Sequence, residues 1–384
     1  MGDLNEPSKL PIIVIITPEF APIIGGVAHA VTRFSIVLAN YGFHVIVVTF
    51  ERTNFVVERN IGKGKLTILY IKSYRKFAFG FSLIKSLYTL VKFLKTGKPL
   101  VIVGEVFGFP TLISALLGKA LRVPSMARGH GSDVDIVMLS GKSIIVRLSL
   151  VLNGLLLGTN PNYVLKIRMV SKRPDVMVLH NVVMPHAVNK PAKIAVRQKL
   201  GLTDGIHCLT VARLVDFKGV DVAVKAFTLL KDKQIFLHIF GDGPLRSWLE
   251  RFIEENDLSN KVFLHGVKPN ELVLEYMRAC DAFIMPSRRE GLSSAILEAL
   301  SCGMPIIASN VGGNKYVVVK GFNGFLYSRE NHEELAKAIM LLAQNEELRK
   351  LMGERSLKIW RELFSPQTVI KQFIRVVKVV YLKR

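Results

Sequence analysis

Two glutamates eight residues apart, Glu290 and Glu298, bracket the segment Gly291-Leu292-Ser293-Ser294. An apolar run ending at Pro286 reads as a strand, and Ser293 or Ser294 is the residue type that caps a helix start. Glu290 therefore falls in a strand-to-helix loop, where the amides of Gly291, Leu292 and Ser293 can face an anion. Glu298 falls in the second helical turn, and its side chain leans back toward that same end. A carboxylate so placed can accept both hydroxyl protons of a ribose. Acids beside a polyanion need a hydroxyl or a cation each; the alternative is two ordinary surface acids.

Cations of matching use lie upstream. Arg213 follows the apolar run Cys208–Ala212, and Lys218-Gly219 comes just before another helical pattern. Both fall at the carboxyl edge of a parallel sheet, where ligands bind in such folds. An Arg fork and a Lys point charge suit a diphosphate; otherwise they are solvated surface charges. Gly241-Asp242-Gly243-Pro244 ends the next strand as a sharp turn. Near the start, Gly25-Gly26 opens a helical pattern after strand Ile12–Thr17. Paired glycines let backbone N–H groups approach an anion, or simply make a tight turn. His130 stands between glycines after another strand, as a ligand contact or as a buried histidine bonded to backbone. Neither a GxGxxG fingerprint nor a P-loop is present: Gly141-Lys142-Ser143 has Ile136 where the P-loop glycine belongs.

The elements that must hold these residues are short Val/Ile/Leu runs alternating with helical patterns. Strands are predicted at Ile12–Thr17, His44–Phe50, Thr67–Ile71, Leu100–Gly104, Ser125–Gly129 and Val176–His180, then at Cys208–Ala212, Phe236–Gly241, Lys261–His265, Ala282–Pro286, Pro305–Ser309 and Gly324–Tyr327. Runs without polar alternation are strands buried on both faces, and intervening helices make the sheets parallel. The fold class is α/β, as two doubly wound sheets in sequence and not one oversized sheet. Met184 to Pro191, with two prolines and an asparagine, marks the break. The predicted domains are 1–183 and 184–365, with a closing helix 366–384 returning to the first.

Composition narrows the class. The chain has 384 residues, 50% of them apolar, and 52 Lys plus Arg against 30 Asp plus Glu, for a net charge of +22. Charged residues are only 21%, which fits a folded protein with a basic surface and not a disordered basic tail. The three cysteines are far apart, which encodes neither a disulfide framework nor a zinc site and fits a reducing compartment. The nine histidines lack paired metal spacing. The first ten residues do not read as a signal peptide, and the most apolar window, 144–158, is interrupted by Arg147 and Asn153 and reads as core.

In order, Gly25-Gly26, Arg128-Gly-His130-Gly-Ser-Asp133, Arg213…Lys218, Glu290…Glu298 and Ile306-Ile-Ala-Ser-Asn-Val-Gly-Gly313 resemble the GT-B glycosyltransferases of family 4. The likeness spans Pro11 to about Tyr381. It implies two Rossmann-like domains facing a cleft, and transfer of a sugar from a nucleotide diphosphate sugar with retention of anomeric configuration. By that resemblance Arg213 and Lys218 neutralise the diphosphate leaving group, with no bound metal and no cofactor. Gly25 and Gly26 close over the phosphates, Glu298 holds the ribose, and Glu290 contacts the donor sugar, with Gly291, Leu292 and Ser293 nearby. His130 reaches the donor sugar, and Asp133 is a candidate acceptor contact. Val182-Val183-Met184 after Asn181, and Gly158-Thr-Asn160, depart from the family pattern on the linker and acceptor side. A UDP-sugar is the favoured donor. The same architecture also serves sugar-nucleotide epimerases and polysaccharide synthases with soluble acceptors.

Between Arg52 and Lys98 stand eleven basic residues and one acid, Glu58. Aromatic neighbours would let such a cluster stack on nucleic acid, but no RNA- or DNA-binding signature accompanies it. Residues 81–95 read as an amphipathic helix edged by Lys85 and Lys92, beside Lys72, Arg75 and Lys76. Together they predict a cytoplasmic enzyme, peripheral at an anionic membrane, acting on a lipid-linked or glycan acceptor. The competing reading is a helix packed on its own sheet.

Overall fold

The computed structural model describes residues 10–21, 25–51, 55–72, 99–131, 133–135, 143–185 and 193–382. The basic stretch 73–98 and the linker 186–191 lie outside them. The chain divides into two compact units, residues 1–182 with 366–384, and residues 183–365.

The first unit is built on strands β1 (Ile12–Ile16), β2 (His44–Glu51), β3 (Phe55–Ile61), β4 (Gly64–Lys72), β5 (Leu100–Glu105), β6 (Ser125–Gly129), β7 (Leu155–Gly158) and β8 (Val176–Val178). Their order is β3-β4-β2-β1-β5-β6-β7-β8. Every residue of β1 and β5 is buried, as a strand covered by helices on both faces requires. Two features differ from the sequence reading. β3 pairs antiparallel with β4, so this sheet is mixed at its edge. β3 is mostly exposed, and its Glu58, Arg59 and Asn60 break the apolar pattern by which the buried strands are recognised. β7 is a strand inside the window read as one core segment, because only Asn153-Gly154 separates it from the helix Ile144–Leu152.

The helix Pro366–Leu382 belongs to this first unit. It buries Val369, Ile370, Phe373, Val376, Val377 and Val380, one face at helical spacing. Phe373 meets Phe34 edge-on at 5.2 Å and Phe43 at 5.9 Å, and Tyr381 donates to the Leu100 carbonyl at the start of β5 (3.2 Å). Truncating Phe373 to Ala would cost about 3–5 kcal/mol.

The second unit carries β9 (Ile206–Val211), β10 (Ile235–Phe240), β11 (Val262–Gly266), β12 (Ala282–Met285), β13 (Ile306–Ser309) and β14 (Gly324–Tyr327). They form a parallel sheet in the order β11-β10-β9-β12-β13-β14. The buried Asp281 before β12 ion-pairs with Lys193 (2.6 Å) and Arg197, which pins the helix Lys193–Leu200 to this unit.

In each sheet the strand order reverses once: between β1 and β5 in the first, between β9 and β12 in the second. Loops leaving neighbouring strands diverge at such a point and open a crevice at the carboxyl ends. The loops carrying Gly25-Gly26, Arg213-Lys218 and Glu290 all leave strands at these two points.

Candidate active site

In the second unit the loop after β9 is shaped by two close approaches. Leu214 donates its amide to the Asp242 carbonyl (2.9 Å), and a Cβ on Gly241 would stand 1.9 Å from the Ala212 carbonyl. Gly241 also has φ +132, so only glycine fits. The loop then makes a 3-10 turn over Asp216–Lys218 and starts the helix Val220–Thr228.

Phe217 organises the charges here. The guanidinium of Arg213 lies 5.7 Å from its ring centroid, the Lys218 ammonium 5.7 Å, and the guanidinium of Arg289, from the loop after β12, 5.8 Å. The Phe217 carbonyl accepts the amide of Arg288 (2.9 Å), which ties the two loops together. Lys218 ion-pairs with Glu290 at 2.6 Å, and Ser287 donates to the same carboxylate oxygen at 3.1 Å. Lys218 and Glu290, on loops from β9 and β12, are thus brought side by side, while Arg213 and Arg289 stay exposed. Arg288 holds the loop instead, forking onto Asp221 with both bonds at 2.8 Å and also reaching Glu330. Burial pushes the Asp221 carboxyl up, but the Arg288 fork outweighs it and holds the group below the ordinary carboxylate range.

Gly291 and Leu292 continue this loop, with Leu292 buried. Ser293 caps the helix Ser294–Ser301 through a bond from the Ala295 amide to its hydroxyl (3.3 Å). Glu298 lies one turn into this helix, buried. A second pair of glycines closes the wall: a Cβ on Gly312 would be 1.8 Å from the Glu290 carbonyl, and one on Gly313 would be 1.5 Å from that of Gly291. The loop after β13 therefore packs backbone to backbone against the Glu290 loop. No side chain could be inserted there.

In the first unit Gly25 is the N-cap of the helix Gly26–Tyr41, with no side-chain cap bond. Its φ of −175° is ordinary extended backbone, so no left-handed turn explains the glycines. A Cβ on Gly26 would meet nothing within 4 Å, whereas one on Gly25 would stand 2.9 Å from a carboxylate oxygen of Glu19. The helix has no acid in its first turn and no side-chain cap bond, and among the described residues Glu19 is the carboxylate that approaches its start. An anion at these amides would share the place with that carboxylate.

His130 follows β6, where its Nε2 lies 2.5 Å from an oxygen of Glu105, the last residue of β5. Both are buried, as is Arg128, whose Nη1 is 3.5 Å from the other Glu105 oxygen. Arg128 also donates to the carbonyls of Leu179 (3.2 Å) and His180 (2.9 Å) and to Asn181 Oδ1 (3.0 Å). Burial raises the Glu105 carboxyl, but Arg128 and His130 together hold it below its ordinary range. A carboxylate facing Nε2 requires the proton there, which leaves Nδ1 of a neutral His130 as a bare acceptor. That Nδ1 is buried and bonds to nothing among the described residues. Asp133 accepts the amides of His130 (3.0 Å), Gly131 (2.7 Å) and Phe107 (3.1 Å). Its carboxylate shapes the His130 turn by accepting these three amides.

Glu105, Phe217, Ser287, Arg289 and the Gly312-Gly313 wall escaped the reading of sites from sequence. The glycine pair stood in a quoted motif, but nothing local says which backbone it must approach. Among the described residues no cluster of His, Cys, Asp and Glu could hold a metal ion. Chemically, the second unit gathers cations and a helix N-terminus for an anion, with two carboxylates suited to hydroxyls.

Residues 193–358 match the glycosyl transferases group 1 family. An uncharacterized glycosyltransferase of Methanocaldococcus jannaschii is 28% identical over 350 residues, covering 89% of this chain and 91% of the relative. Among solved structures, Anabaena HepE superposes with a TM-score of 0.76 at 17% identity, covering 96% of this chain and 100% of that one. The sucrose-phosphate synthase of Thermosynechococcus elongatus does so with a TM-score of 0.76 at 20% identity, covering 97% and 100%. With these loops on two sheets of this order, the chain has the GT-B fold, and its second unit is similar to the glycosyl transferases group 1 family over residues 193–358.

Proposed function

We propose that this enzyme moves a sugar from a UDP-sugar to a lipid-linked or glycan acceptor, with retention of configuration. In that step the bond from the anomeric carbon to the diphosphate oxygen breaks. A bond to the acceptor oxygen forms on the same face, and the acceptor's proton leaves with the diphosphate. Arg213 and Lys218 stabilise the charge that develops on the leaving group, without a metal ion or other cofactor. Glu298 holds the ribose and Glu290 the donor sugar, beside Gly291, Leu292 and Ser293. The helix start at Gly25-Gly26 meets the phosphates, His130 acts on the donor sugar, and Asp133 acts through the His130 turn it holds.

The observation that carries this reading is the grouping of Arg213, Lys218 and Arg289 around Phe217, with Glu290 on Lys218. A trio of cations beside one carboxylate is arranged for a group that is anionic at one end and hydroxylated at the other. HepE was solved with UDP, which supports the choice of base. The working location is the cytoplasmic face of an anionic membrane; the net charge of +22 supports it, and among the described residues no helix is long and apolar enough to span one.

A panel of nucleotide sugars, each with and without polyprenyl-phosphate-linked and free glycan acceptors, tests the reading. Acceptor-dependent release of free UDP is the expected result. Conversion of the donor with no acceptor present would replace transfer by epimerisation.

A further inference from the structure

Two helices of the first unit, Ile144–Leu152 and Pro161–Ser171, follow β6 and β7 and cover the same side of the sheet. Their inward residues, among them Leu150, Tyr163, Val164 and Ile167, share one core cluster. Their outward residues therefore form one continuous face. On the first helix that face is Ile144, Arg147, Leu148 and Val151; on the second it is Leu165, Arg168, Met169 and Lys172.

The composition of this face is unusual. Its five apolar members are each between 41% and 70% exposed, at positions i, i+4 and i+7 of one helix and i, i+4 of the other. Exposed apolar patches of this kind mark interaction sites, since ordinary surfaces scatter such residues singly. Every other outward member named is a cation. From residue 143 to residue 174 the chain has five basic residues and no acid; Lys166 and Arg173 pair with Asp135 and Asp175 just outside, which leaves Arg147, Arg168 and Lys172 as the charges of the face. A recess of about 610 Å³ adjoins Val151, with Lys119 and Arg122 among its walls. Lys119 and Lys172 form no ion pair among the described residues.

We propose that this face is where the enzyme docks on an anionic lipid bilayer. Ile144, Leu148, Val151, Leu165 and Met169 settle at the acyl boundary, while Arg147, Arg168, Lys172, Lys119 and Arg122 meet headgroup phosphates. A protein partner would be met by charges of both signs; a bilayer supplies apolar depth and one sign of charge, which is what this face matches. The inference deepens the membrane reading above. It assigns the contact to described residues of the flank, apart from the basic stretch 73–98.

The test compares the parent with a variant carrying Ile144→Ser, Val151→Ser, Met169→Gln and Lys172→Glu, all at exposed positions and none among the residues assigned to the donor site. Flotation with phosphatidylglycerol-containing vesicles should recover the parent at low salt and lose it at high salt or with phosphatidylcholine alone. The variant should partition about tenfold or more weaker. Equal flotation of parent and variant would overturn the assignment of this face, and a parent that ignores anionic vesicles would overturn docking altogether. So would sedimentation showing a parent dimer that the variant abolishes, because a second copy would then cover the face. UDP calorimetry on both proteins keeps the readings apart: it should be identical, and its failure would strike the glycosyltransferase proposal alone.

Discussion

The ammonium of Lys218 rests 2.6 Å from the carboxylate of Glu290, so the cation proposed to meet a diphosphate is already paired with the acid beside it. Under the proposed function a bound diphosphate competes with that carboxylate for the lysine.

From this follows the first test. Lys218→Ala or Arg213→Ala should lower turnover by about two to three orders of magnitude, the scale for one preorganised charge contact. The melting temperature should stay near that of the parent, since neither side chain serves a core. Unchanged turnover in either variant removes that cation from the mechanism.

The two acids separate by which affinity they change. Glu298→Gln should weaken binding of free UDP by about 1–3 kcal/mol, the worth of a charged hydrogen bond. Glu290→Gln should depress sugar transfer without weakening UDP binding, which should if anything tighten once Lys218 is released from its carboxylate. Calorimetry with the free diphosphate decides, and equal affinities would contradict the ribose assignment. EDTA should leave the parent's rate unchanged; inhibition reversed by Mg²⁺ would count against the two-cation mechanism.

Glu105 is the counter-charge of a fully buried arginine. Glu105→Ala strips Arg128 and His130 of their carboxylate and should cost about 3–5 kcal/mol of unfolding free energy. Urea denaturation measures it. A loss below about 1 kcal/mol would mean that Arg128 finds compensation elsewhere.

Acid should destabilise the second unit through a row of histidines. His207 Nδ1 lies 2.9 Å from His238 Nε2, and His238 Nδ1 lies 3.0 Å from His265 Nε2, across β9, β10 and β11. His207 Nε2 donates to the Thr203 carbonyl (2.9 Å), so each ring in turn donates from Nε2 and accepts at Nδ1 when neutral. Burial, with the neighbouring rings second, lowers His238 from 6.5 to about 3. In the first unit burial lowers His180 to about 4. The unfolded chain takes up these protons near pH 6.5 and the folded one does not. Stability is therefore full above that pH and falls as pH drops, by about 1.4 kcal/mol per pH unit for each histidine, until the folded values are reached. Urea midpoints at pH 7.5, 5.5 and 4.5 should decline in that order; a flat series would show that the row is already protonated.

The second sheet was legible because each of its strands is a mainly apolar run without polar alternation, from Cys208–Ala212 to Gly324–Tyr327. The loop after β12 was legible for a different reason: strand end, glycine, serine cap and glutamate are local signals. Ser293 proved the cap. β3 was not legible, since an exposed edge strand needs only a partner to bond to and no apolar pattern. Glu105 was equally hidden. Its significance lies in Arg128 and His130 on the next strand, and a lone glutamate in Gly-Glu-Val carries no sign of the charge it must balance. Likewise Gly25-Gly26 read as a close approach or a tight turn, whereas the structure gives an extended N-cap at Gly25, approached by the Glu19 carboxylate, and a Gly26 with nothing beside it.

The return of the helix Pro366–Leu382 to the first unit has a consequence for how the chain is made. Phe34 and Phe43 emerge from the ribosome early, but Phe373, which packs against both, emerges only after the whole of the second unit. At ~5–20 residues per second the first sheet waits roughly 10–40 s with that apolar surface uncovered, while the second unit has all its strands and can close first. Nascent first units are thus the natural clients of chaperones that shield apolar surface during translation. A ribosome stalled before residue 366 would hold a finished second unit attached to an unfinished first one.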